Sequence, residues 1–291
     1  MAADLIIGEE TVVKRENTFR FFVHRAGFLG ITGMIMVAIL VMVAIFAPLI
    51  APWDPYEMEA GRELNSPSSK HLAGTDEFGR DVLSRTIHGS RYSLGIAFFG
   101  VLGSMILGGV LGLVAGVSGG ITDTTIMRFT DFLMAFPGVL FGILVITILG
   151  PGTINLGIAI CAASMPIFIR IMRARVYGEM GLEYVDAARA LGCSKLRITF
   201  KHILPNCLSS LIVQANITMV NAILLEAGLS FIGLGAQAPE PSWGLMLKTA
   251  RGYLREAPFY ALAPGLALSL LMIGVNFTAD SLRNLLDPKN R

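Results

Sequence analysis

The sequence is poor in charge: only 15% of its 291 residues are Asp, Glu, Lys or Arg, against 54% hydrophobic. Soluble domains carry about a quarter charged residues. Charged residues are missing altogether from five runs, residues 26–53, 92–122, 132–169, 203–225 and 257–279. Each run exceeds the roughly 20 residues that a helix needs to cross about 30 Å of hydrocarbon. A single soluble core has no use for them, so the chain is read as a membrane protein.

Other absences narrow the chemistry. No lysine follows a glycine, so there is no phosphate-binding P-loop. No H-E-x-x-H or Cys/His cluster marks a metal site, and no cofactor motif is present. The string Gly116-Val117-Ser118-Gly119-Gly120 matches the nucleophile-elbow pattern, but a serine nucleophile needs a base, normally histidine. The four histidines, His24, His71, His88 and His202, all fall outside the uncharged runs. Ser118 is therefore read as the end of a glycine-rich span rather than as the centre of a membrane hydrolase. Cys161, Cys193 and Cys207 are placed in a span, in an inner loop and at a span entrance, so no disulfide is expected. A net charge of +2 is too small to imply a nucleic-acid partner.

The runs that are present predict six spans. Residues 132–169 would rise about 57 Å as one helix, too far for one crossing. Leu149-Gly150-Pro151-Gly152-Thr153 is the place to fold back, since two glycines and a proline suit a tight turn. With residues 1–25 inside, the inner segments 1–25, 123–131, 170–201 and 280–291 hold 15 of the 23 basic residues. The positive-inside rule then places both termini in the cytoplasm.

The fold class is all-α and polytopic: a polar segment 1–25, a first transmembrane helix 26–53, an external excursion 54–91, and a five-helix core 92–291. Within 1–25, Phe19, Phe21, Phe22 and Val23 among Lys14, Arg15, Arg20 and Arg25 suit an interfacial helix on anionic lipid or a flexible tail. Gly108, Gly112 and Gly116 have small-xxx-small spacing and are read as helix packing. No charged residue lies inside a span; Arg128, Asp131, Glu226 and Asp280 fall at predicted ends. Ion-coupled carriers usually keep ionisable groups at membrane depth, so the drive is expected to lie outside the spans.

The inner loop 170–206 is patterned. A helix from Leu182 to Leu191 is followed by Gly192 as a left-handed cap. Ser194 can cap a second short helix from Lys195, which is expected to end near Pro205.

The run Glu183-Tyr184-Val185-Asp186-Ala187-Ala188-Arg189-Ala190-Leu191-Gly192, with Leu204-Pro205 thirteen residues after the glycine, resembles the EAA loop of ABC-importer permeases. Asp186 stands where Glu is usual, which keeps the charge, and His202 where Ile is common. Three more stretches resemble the dipeptide, oligopeptide and nickel branch, second-subunit type: His71–Arg85, Gly228–Gln237 with Pro241-Ser242-Trp243-Gly244, and Leu282–Pro288.

The resemblance implies a type I ABC importer permease that is not itself an enzyme. Glu183, Tyr184, Asp186, Ala187, Ala188, Arg189, Gly192, Leu204 and Pro205 would couple it to an ATP-binding subunit. The implied partners are a second homologous permease, two ATP-binding subunits and a periplasmic or lipid-anchored solute-binding protein, in a bacterial inner membrane. The implied solute is a di- or oligopeptide, with nickel or glutathione as alternatives. A self-contained channel or carrier is the rival from another class.

Overall fold

The computed structural model describes residues 18–286. The lead-in through Asn17 and the closing residues 287–291, Asp287-Pro288 among them, lie outside the described residues, as do the side chains of residues 18–26, 280 and 282–286. The described chain is helical, with only an isolated bridge between Thr75 and Asp81.

Helix α1 (Thr18–Ile45) is followed by a single turn, α2 (Ala47–Ile50), and then by the irregular excursion. The second long helix, α3 (Val82–Ser118), starts ten residues before the uncharged run does. Charge marks where hydrocarbon begins, whereas the start of a helix is set by its cap. Here the Asp81 carboxylate accepts from Ser84 N at 2.7 Å.

The third expected span is not one straight helix. Residues 120–149 form α4 (Gly120–Met134) and α5 (Gly138–Leu149), bent by 95° at a break that ends in Pro137. Alone, α5 would rise only about 18 Å. The fold-back lies where the sequence places it: Gly150 and Gly152 take φ of +88° and +150°, and Asn155 Nδ2 donates to Leu149 O at 2.9 Å and Gly150 O at 3.0 Å.

Helix α6 (Thr153–Met180) leads to α7 (Glu183–Ala190) and α8 (Lys195–Ile198). The expectation that the helix after Ser194 ends at Pro205 is corrected. A π-helical turn over residues 199–203 runs straight into α9 (Leu204–Phe231), where Pro205 occupies the first turn. Proline is tolerated there because it falls at the junction of the two ladders, where Leu204 N still bonds back to Thr199 O in the π turn and only one N–H is lost. Helices α10 (Trp243–Ala250) and α11 (Pro258–Leu286) complete the chain.

Five helical stretches are long and apolar enough to cross a membrane, or six if the bent α4–α5 pair counts as one span. Helix α3 lies at the centre, against α6, α9, α1 and α11. It runs parallel to α6, since Gly100 faces Ile160, Gly108 faces Phe168 and Gly116 faces Val176. The 108/112/116 glycines thus serve packing: a Cβ on Gly108 would stand 2.7 Å from Met165 O.

Candidate functional site

The nine residues singled out in the 183–205 loop occupy one end of the bundle, beyond the α6 C-terminus. Helix α7 has two inward side chains, Val185 and Ala188, at i and i+3. They belong to a core shared with Ile198, Ile203 and Cys207. Glu183, Asp186, Ala187, Arg189 and Ala190 all face outward. The Asp186–Arg189 pair, at 2.9 Å, is exposed and of the kind that contributes little to stability.

Gly192 takes φ +73°, and Cys193 N donates back to Ala188 O at 3.1 Å. This is the glycine-dependent helix stop expected of that position. Ser194 then caps α8 through Arg197 N at 3.3 Å.

Tyr184 ties α7 to the first turn of α9. Its hydroxyl donates to Glu179 and accepts from Asn206 Nδ2 at 3.2 Å, and Asn206 also donates to Glu179 at 3.2 Å. Burial, then the Glu179 carboxylate, pushes the Tyr184 phenol above its ordinary range. Leu204 and Pro205, at the far end of the motif, open α9 beside this bracket. The nine residues are therefore one helix, its stop, and the head of a long apolar helix.

Sequence reasoning missed Glu179 and Asn206, which form the bracket. It also passed over an apolar fringe: Leu191, Leu196 and Phe200 are 84%, 71% and 59% exposed. Their signal was visible as large apolar residues in a charged loop. Nearby, Asp123 of α4 is gripped by Arg173 of α6 through both carboxylate oxygens, with Tyr177 OH adding a third bond at 3.1 Å. Arg170 reaches Asp131 at 2.7 Å.

At the opposite end, the stretches 71–85 and 228–244 interlock. Asp76 is fully buried and accepts from Phe78 N and Arg80 N, both at 2.9 Å, and from Arg80 Nε at 2.6 Å. Arg85 stands 3.3 Å from the same carboxylate and donates to Pro55 O at 2.8 Å and Pro239 O at 3.4 Å. Trp243 Nε1 donates to Thr86 O at 2.8 Å. Buried charges are tolerated only when paired and hydrogen-bonded in this way.

Glu226, expected at a span end, lies in the last turns of α9 and is wholly buried there, where Ser230 Oγ donates to it at 3.1 Å. Charge in the sequence cannot tell an exposed helix end from one covered by neighbouring helices.

Ser118 closes α3 against Gly119, which takes φ +64°. Among the described residues, no group of three His, Cys, Asp or Glu side chains could hold a metal ion.

Two family models match. Residues 108–291 match the binding-protein-dependent transport system inner membrane component, and residues 19–67 match the N-terminal TM domain of oligopeptide transport permease C. The dipeptide transport system permease protein DppC of Alkalihalophilus pseudofirmus is 44% identical over 261 residues, 90% of this chain and 86% of that one. The di/tripeptide permease DppC of Pseudomonas aeruginosa is 44% identical, covering 92% and 90%. The glutathione transport system permease protein GsiD of Pectobacterium atrosepticum is 41% identical, covering 88% and 85%. Among solved structures, a chain of the inward-facing MetNI methionine ABC transporter superposes with a TM-score of 0.57 at 19% identity, over 70% of this chain and 97% of that one. It has the same fold.

Proposed function

The chain belongs to the family of binding-protein-dependent transport system inner membrane components, as a DppC-like ABC permease, and from that premise we propose that it is one of two membrane subunits passing di- or oligopeptides inward. An importer permease works with ATP-binding and solute-binding partners. The finer assembly is a second, homologous permease, two ATP-binding subunits that hydrolyse the nucleotide, and a periplasmic or lipid-anchored binding protein. Both termini and α7 face the cytoplasm, residues 54–91 face outward, and residues 92–291 hold the permease core.

Helix α7 is the coupling element. The observation that carries this reading is its build: two small inward anchors, an outward face from Glu183 to Ala190, and a glycine stop at φ +73°. Such a helix offers a partner a rigid knob. Glu183, Asp186, Ala187 and Arg189 present its surface, Ala188 seats it, and Tyr184 joins it to α9. Gly192 sets its angle, and Leu204-Pro205 begins the helix that receives the motion. Closure of the ATP-binding subunits would thus reach the spans through α7 and α9. The GsiD relative supports glutathione, itself a small peptide, as a second solute.

The test is uptake of a labelled dipeptide, glutathione or nickel by the complete complex in ATP-loaded proteoliposomes. A β-branched residue at φ +73° is strained, so Gly192→Val moves α7. Dipeptide uptake is expected to fall at least about tenfold, roughly 1.4 kcal/mol of coupling. Undiminished uptake by that variant would sink the coupling role. Nickel uptake without peptide uptake would sink the substrate.

A further inference from the structure

Arg91 lies on α3 just above the uncharged stretch 92–118. That stretch is about 40 Å long as helix, enough to cover a hydrocarbon core of about 30 Å, so Arg91 sits at headgroup depth on the side of the 71–85 network. The neighbouring arginines are engaged, Arg80 and Arg85 with Asp76. Arg91 is exposed and belongs to no ion pair among the described residues.

Two cavities meet beside Arg91. One, of about 510 Å³, descends between α3 and α6; the other, of about 650 Å³, lies among α1, α3, α9 and α11. Arg91 and Gly95 line both. Gly95 is one turn below Arg91, and a Cβ there would meet nothing within 4 Å, so it forms a low saddle between the two grooves. Below the rim the walls are mostly apolar, with Thr153 in the first groove and Asn216 and Thr278 in the second, and no Asp or Glu lines either groove. From Arg91 to Gly103 the first groove follows α3 for about 18 Å, close to the roughly 15 Å of hydrocarbon in one leaflet.

We propose that Arg91 and the two grooves hold one glycerophospholipid with an anionic headgroup, its phosphate on the guanidinium and an acyl chain in each groove. Charge selects this occupant. A guanidinium at an apolar mouth is matched by a phosphate, which it can bind through two parallel N–H donors. A peptide would also need an acceptor for its ammonium group, and neither groove supplies an acidic one.

The test uses the assembled importer equilibrated with equal amounts of phosphatidylglycerol and phosphatidylethanolamine, with retained lipid read by native mass spectrometry. Wild type is expected to keep one phosphatidylglycerol in preference to phosphatidylethanolamine. Arg91→Gln should weaken its retention about tenfold, the loss of a charge-assisted contact, with Arg91→Lys intermediate. Gly157→Leu, which fills one groove where a Cβ meets nothing, should loosen both lipids. Equal retention of the two lipids by wild type, or unchanged phosphatidylglycerol in Arg91→Gln, overturns the proposal. So does a photo-crosslinker at Gly157 that captures the second permease in place of lipid. The wild-type preference is informative even if a variant fails to assemble.

Discussion

Gly112 and Gly157 both sit in long helices, yet their surroundings differ. A Cβ on Gly112 would stand 2.5 Å from Ile169 O and 2.7 Å from Met172 Cβ, whereas one on Gly157 would meet nothing within 4 Å. Backbone oxygen cannot swing aside as a flexible side chain can. Gly112→Ala should therefore destabilise the protein by about 1–3 kcal/mol through overpacking. Gly157→Ala should be neutral or slightly stabilising, by up to about 1 kcal/mol of helix propensity. Thermal unfolding of the purified complex in detergent distinguishes them, and equal midpoints would contradict the α3–α6 register. Spacing alone identified the 108/112/116 glycines as packing residues. It could not tell which neighbour each glycine meets, because that depends on a partner helix about 60 residues away in the chain. The burial of Glu226 escaped for a related reason: α10, which packs on α9, comes later in the chain and is too short to announce itself as a span.

Helix starts and breaks follow local chemistry that the charge pattern only partly reflects. The tight turn at 149–153 and the stop at Gly192 were legible because each rests on glycines forced to positive φ. The bend between α4 and α5 was not, since Pro137 lies inside an uncharged run and a proline can equally kink a span or end one. The π-helical turn 199–203 leaves no compositional mark. The early start of α3 was hidden by Arg85, His88 and Arg91, charged residues on a helix that stands above the lipid. Asp81 sets that start, and its carboxylate also meets His71 Nδ1 at 3.0 Å. Asp81→Ala should cost about 1 kcal/mol for the lost cap. It should also speed hydrogen exchange at the amides of residues 82–85; unchanged protection there would show that the cap does not hold the helix start.

The molecule has two ends joined by continuous helix. At one end the interlocked stretches 71–85 and 228–244 form a polar cap fastened by Asp76, Arg85 and Trp243. At the other, α7 stands out from the bundle on Val185 and Ala188. The stretch Lys195–Phe231 runs from beside α7 to the cap, so displacement at one end has a rigid path to the other. This route was half visible in the sequence. The 183–192 motif stood out, but Pro205 hid the continuity of α8, the π turn and α9.

The most direct test of α7 as the coupling helix is a photo-crosslinking residue at Ala187, an outward position on α7, in the complex assembled in native membranes. Crosslinking to an ATP-binding subunit is expected, and should be lost when that subunit is omitted. Labelling of lipid or of the second permease alone, with no ATP-binding subunit captured, would contradict the docking of α7.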